Sequence, residues 1–180
     1  AKMLNFAHGD VIMVGAYVSF YVTMFAGSNL LGEDPSALTT GAVALVSVLL
    51  AMVVCTVLGV VIEGLAYRPL RQAGSLAVLI TAIGVSYFLQ NLALLLFGSQ
   101  QMAYPTLIRL GQVSVGGVTI DGITILTLLV TALIMVVLSF FINHTRLGKA
   151  MRAVSEDKAA ASLMGISVNR TISITFAIGS

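Results

Sequence analysis

The chain has 180 residues, 58% of them hydrophobic and only 9% charged, with a formal net charge of +2 and a mean hydropathy of +1.05. A soluble domain needs roughly 25% charged residues to cover its surface, so this composition excludes an ordinary water-soluble globule and points to lipid as the solvent. The small charge, without any basic-aromatic patch, excludes nucleic acid as a partner. The lone Cys55, set in an apolar run, excludes an internal disulfide and a cysteine metal site, and reads as a small packing residue.

In chain order, residues 1–10 come first and hold Asn5, His8 and Asp10 just before the first apolar run. That run covers about 11–31, VIMVGAYVSFYVTMFAGSNLL; the second covers about 38–62, the third about 74–97, and the fourth is ITILTLLVTALIMVVLSFFI, 123–142. Twenty helical residues reach about 30 Å, the thickness of the hydrocarbon core. Lipid forces a span to satisfy its own backbone hydrogen bonds, which favours helices. The runs are too long and too uniformly apolar for the alternating strands of an outer-membrane barrel. A further apolar segment starts near Thr171 and stops at Ser180, about half of the roughly 20 residues a span needs. Residue 1 is Ala, and the chain is expected to be an internal piece of a longer membrane protein.

The connections sort by charge. Residues 32–37 hold Glu33 and Asp34; 63–73 hold Arg68 and Arg71; 98–122 hold Arg109 and Asp121; the last connection holds Arg146, Lys149, Arg152, Lys158 and Arg170. Basic residues collect on the cytoplasmic side. This places 63–73 and 143–170 inside, and 32–37 and 98–122 outside. Residues 1–10 then lie at the cytoplasmic face, unless the first helix begins partway through the membrane. Within the long outer connection, QVSVGGVTIDG alternates Val113, Val115, Val118 and Ile120 around Gly116-Gly117, the pattern of a small hairpin. It serves either as a docking surface or as a cap over the helix ends.

The stretch TRLGKAMRAVSEDKAAASLMGISVNR, 145–170, is charged where its neighbours are apolar. Its first part is expected to continue the fourth helix out of the membrane, with Leu147, Met151 and Val154 on one face and Arg146, Lys149 and Arg152 on another. Ser155 is a good N-cap, Glu156 and Asp157 suit a first turn, Ala159 to Ala161 favour helix, and Gly165 suits a left-handed end. A short capped helix over 156–164 follows. Such a unit can plug into a groove on a partner, with Ala160 and Ala161 allowing close approach. The bland alternative is a solvated loop that only sets topology.

Several polar groups fall inside the apolar runs, where they must face protein or water. Ala82, Ser86 and Gln90 share one face of the third run, with Thr81 and Asn91 beside it. Asn5 and His8, just before the first run, and Ser86, Gln90 and Asn91 of the third are candidates for lining a translocation pathway, against the alternatives of holding a turn or bonding helix to helix. Gly15, Ser19 and Thr23 form a small-residue stripe suited to helix packing. Arg68-Pro69-Leu70-Arg71 reads as a positive-inside anchor or a second partner contact. No phosphate-binding loop occurs, so any ATP is bound by another subunit.

Several motifs carry a resemblance: LNFAHGD (4–10) with MVGAY (13–17), EGLAYRPLR (63–71), TAIGVSYFLQN (81–91), and TRLGKAMR (145–152) through Asn169-Arg170. In this order they resemble the permease subunits of branched-chain amino acid ABC importers, along the whole chain. Ala160-Ala161 and Gly165 match the spacing of the loop that docks on the ATPase in ABC-importer permeases; Ala159 precedes them, and the acids Glu156 and Asp157 sit earlier than in that loop. The resemblance implies an all-α polytopic permease: one transmembrane domain over 1–180, four full spans and the start of a fifth, with 143–170 as a cytoplasmic coupling loop. It implies ATPase contacts at Arg152, Glu156, Asp157, Ala160, Ala161 and Gly165. It also implies two ATPase subunits, a second related permease, an external substrate-binding protein, and a bacterial or archaeal inner membrane. No catalysis, cofactor or metal is implied. The expected cargo is leucine, isoleucine and valine, with urea or a short amide as the alternative. An ion-coupled secondary transporter would want acids within the spans, and Asp10 and Glu63 are expected near helix ends. A membrane prenyltransferase would want carboxylate clusters for Mg²⁺, and the acidic pairs are only Glu33-Asp34 and Glu156-Asp157.

Overall fold

A computed structural model describes residues 8–29, 37–70, 73–105, 111–115 and 118–180. Asn5, Arg71, Arg109, the 32–36 connection and the Gly116-Gly117 turn lie outside the described residues. The elements are α1 (His8–Asn29), α2 (Ala37–Ile62) running into a π turn (Glu63–Tyr67), α3 (Ser75–Phe97), strands β1 (Gln112–Val115) and β2 (Val118–Asp121), then α4 (Gly122–His144), α5 (Arg146–Glu156), α6 (Lys158–Leu163) and α7 (Val168–Gly179). Four helical stretches are long and apolar enough to cross a membrane: His8–Gly27, Leu38–Tyr67, Leu76–Phe97 and Gly122–His144. They are the four runs expected from the sequence, and α7 is the further apolar segment. The hairpin pairs antiparallel with Val113 opposite Ile120 and Val115 opposite Val118, the register a two-residue turn demands.

The helices associate through small residues and a compact apolar core. α1 and α2 are antiparallel neighbours. A Cβ on Gly15 would stand only 2.7 Å from Cys55 Sγ, so the glycine lets the two backbones approach. Val11, Cys55, Ile62, Tyr67, Ala82 and Leu89 form the core, with Phe176 of α7 packed against it. α4 stands apart: it packs on β2 and α5, and none of its side chains is buried.

α1 is shifted along the bundle relative to α3. The two run parallel: Asp10 meets Gln90, and Tyr17 stacks on Phe97 with ring centroids 4.2 Å apart. Gln90 lies well past the midpoint of α3, roughly 20 Å from its start at 1.5 Å per residue. Asp10 is therefore level with the interior of α3, not with its edge. Asp10 lies in the first turn of α1, the helix-end position expected for it, and the offset of the two helices sets it against Gln90.

The π turn closes with Arg68 N–H donating to the Glu63 carbonyl at 2.8 Å, a bond to the fifth residue back. Pro69 then ends the helix, as a residue without an N–H does.

Candidate functional site

Two places concentrate polar chemistry. The first joins α1 to α3. Asp10 is 7% exposed, and its Oδ1 accepts from Gln90 Nε2 at 3.0 Å. The same nitrogen donates to Ser86 Oγ, one turn earlier on α3, at 3.1 Å. Ser86 and Gln90 are thus brought together, as their shared face requires, with Asp10 as a partner that sequence reasoning did not assign to them. Its position just before a long apolar run reads as a helix end, which it is, and the offset of α1 against α3 sets that end against Gln90. Asn91 turns away and donates to the Tyr87 carbonyl of its own helix at 2.7 Å. His8 is exposed, two residues before Asp10. Toward the hairpin end, Tyr104 OH sits 2.7 Å from Ser19 Oγ and 3.3 Å from Thr23 Oγ1. Those two residues, read as a packing stripe, therefore hold the segment after α3 by hydrogen bonds.

A second buried carboxylate, Glu63, is 2% exposed and accepts from Ser173 Oγ of α7 at 2.6 Å. A charge this deep is costly unless hydrogen-bonded, and the bond ties the π turn of α2 to α7. Tyr67 and Phe176 add a ring contact at 5.4 Å. The sequence signal was an acid closing an apolar run, which reads equally well as a surface cap.

The second place is the unit α5–α6–α7. α5 does not continue α4. Thr145 breaks the helix: its Oγ1 donates to the Phe141 carbonyl at 2.7 Å and accepts from Gly148 N–H at 3.0 Å, capping α5. α5 turns back so tightly that a Cβ on Gly148 would collide with the backbone of Ile142. Arg152 donates to Asn143 Oδ1 across the elbow at 3.2 Å. The cap of α6 is Asp157, whose Oδ1 accepts from Ala159 and Ala160 N–H at 2.8 and 3.1 Å. Ser155 instead bonds back to the Arg152 carbonyl, because α5 runs on through Glu156. This corrects the helix start expected at 156 and its Ser155 cap. The other end is as expected: Gly165 has φ +80°, a conformation that only glycine adopts cheaply. Gly165 N–H reaches the Ser162 carbonyl, and Ile166 N–H reaches that of Ala161, the paired bonds of a Schellman motif.

Exposure around α6 reassigns one residue. Ala161 is 4% exposed, buried within a unit where α6 packs on α5 and α7. It serves internal packing and is not available to a partner. Arg152, Glu156, Asp157, Ala160 and Gly165 stay exposed. Leu163 and Met164, which sequence reasoning missed, are 89% and 82% exposed. The available signal was an apolar pair just before the terminal glycine of an otherwise polar unit. Among the described residues, no group of three or more His, Cys, Asp and Glu is placed to hold a metal.

Four membrane-length helices, polar contacts between them and a capped amphipathic unit at the basic end define a polytopic helical membrane protein of the permease kind. A family model described as branched-chain amino acid transport system, permease component, matches residues 1–180, and the chain belongs to this family. It is 42% identical, over 98% of its length, to the high-affinity branched-chain amino acid transport system permease protein LivH of Salmonella typhimurium, and equally so to LivH of Escherichia coli K12. It is 41% identical, over the same share, to permease protein BraD of Pseudomonas aeruginosa. The chain spans 57% of the length of each of these relatives. No solved structure matches it significantly.

Proposed function

We propose that this chain belongs to the membrane-spanning subunit of an ATP-driven importer that moves leucine, isoleucine and valine across a bacterial or archaeal inner membrane. The observation that carries the reading is the family match along all 180 residues. The capped α6, with Leu163 and Met164 bare at its end, supports it by offering a rigid surface to an ATPase. The subunit performs no chemistry. Two ATPase subunits dock at its basic end, which faces the cytoplasm. A second permease completes the pathway, and a binding protein delivers cargo at the hairpin end. Arg152, Glu156, Asp157, Ala160 and Gly165 surround the ATPase contact; Asp10, Ser86 and Gln90 border the pathway. A second reading, urea or a short amide as cargo, draws on one observation: the group already resting on Asp10 is a carboxamide.

Asp10 within a span reopens ion coupling, and energetics separates the two mechanisms. In vesicles carrying the whole transporter, leucine uptake is expected to persist when an uncoupler collapses the proton gradient and ATP is maintained. It is expected to stop when ATP is removed. Uptake that follows the gradient instead overturns the reading.

Gln90→Leu is expected to reduce uptake far more than Thr127→Leu at matched membrane levels. The first removes a donor from a buried carboxylate, a loss of about 1–3 kcal/mol or more. The second removes only a hydroxyl that bonds its own helix, to the Ile123 carbonyl, on the exposed α4. Equal uptake by the two variants removes α3 from the pathway.

A further inference from the structure

We propose that Asp10 and the groove above it form a site for an aliphatic amino acid in transit, with the Asp10 carboxylate taking the ammonium group. This deepens the importer reading and rests on it for the identity of the cargo. The groove holds about 490 Å³, within the range of small-molecule sites. Met13, Tyr17 and Phe20 of α1 line it, with Met102 and Tyr104 opposite. Asp10 is not itself in this lining; it stands three residues, about one turn, before Met13 on the same stripe of α1. Thioether and aromatic walls adapt to branched side chains. The amides of Gln100 and Gln101, also in the lining, supply donors for the cargo carboxylate at the other end.

Charge points to the same occupant. The four candidate spans contain no Lys or Arg, so no fixed cation within them neutralises Asp10. Its partner among the described residues is the neutral Gln90 amide, whose nitrogen already sits where an ammonium nitrogen would, 3.0 Å from Oδ1 and 3.1 Å from Ser86 Oγ. A charged donor on a carboxylate forms a shorter bond, roughly twice as strong as a neutral one, and low local dielectric strengthens it further. Gln90 is the placeholder: cargo displaces its amide, and the amide returns when cargo leaves.

The test uses the full-length chain in its complex with the ATPase subunits, without the binding protein. 3-Methylbutylamine, which has the ammonium and the branched chain but no carboxylate, is expected to raise the thermal midpoint of the wild-type complex. 4-Methylpentanoate and urea are expected to leave it unmoved. Asp10→Asn keeps a carbonyl acceptor for Gln90 at nearly the same volume and removes the charge. It is expected to lose the amine shift and to reduce leucine uptake tenfold or more, and Asp10→Glu is expected to recover part of both. Failure of the amine to shift the wild-type complex overturns the site. So does wild-type uptake by Asp10→Asn, or a shift by urea equal to that of the amine. An Asp10-dependent amine shift in a complex that takes up no leucine supports the site and refutes the cargo assigned above.

Discussion

Leu163→Asp combined with Met164→Asp is expected to strip the ATPase subunits from the purified complex while the chain still inserts in the membrane. Both side chains stand in solvent at the C-terminal end of α6, at 89% and 82% exposure. Neither contributes to a span, and the Schellman bonds that end α6 are made by backbone groups. Folding therefore loses little. Burying two such side chains against a partner is worth about 1.5–3 kcal/mol each, and a buried aspartate adds the cost of an uncompensated charge. The summed loss corresponds to a fall in affinity of about 100-fold or more. Co-purification at matched expression measures it. Normal recovery of the ATPase refutes α6 as its dock. Ala161→Trp separates the two faces of the helix: it is expected to destabilise the α5–α6–α7 unit itself, because Ala161 is buried there.

Gly148→Val is expected to abolish uptake with the ATPase still bound. The elbow between α4 and α5 leaves no room for a Cβ, and the atoms in the way belong to the Ile142 backbone, which cannot rotate aside as a side chain would. Overpacking of this kind costs about 1–3 kcal/mol. The protein escapes that cost by opening the elbow, which swings α5 and α6 away from the end of α4. Hydrolysis should then no longer respond to loaded binding protein. Thr145→Ala removes the cap hydrogen bond from Gly148, worth about 1 kcal/mol, and the bond to the Phe141 carbonyl, but leaves the backbone room, and is expected to give a partial defect. Normal coupling in Gly148→Val means that the angle of the elbow is not used. Uptake and stimulated hydrolysis, measured on the same vesicles, distinguish the cases.

Membrane-length apolar runs were legible because lipid leaves a segment of that length one backbone solution, and α1 to α4 follow them. The hairpin was legible from alternation, and the end of α6 from one glycine. Tertiary placement was less so. Nothing local in the sequence reports that α1 rides far up α3, so the pairing of Asp10 with Gln90 was not legible. Ser155 and Asp157 are both good caps two residues apart, and the choice between them depends on how far α5 runs. Thr145 is compatible with a continuing helix, and only the close packing of Gly148 on Ile142 shows that the chain turns there. Ala161 and Leu163 differ by two positions, hence nearly opposite faces of a helix. Which face looks inward is set by α5 and α7, and no periodicity in so short a segment reveals that.

Cys55 has a use at the bench. It is the single thiol in these 180 residues; it is buried, and its Sγ donates to the Val11 carbonyl at 3.4 Å. Modification needs an accessible thiolate, and Cys55 is buried between α1 and α2. Cysteines introduced one at a time along the groove or around α6 would therefore meet no reactive thiol among these 180 residues. Maleimide labelling, spin probes and cross-linking can follow this part of the transport cycle with its native sequence otherwise intact.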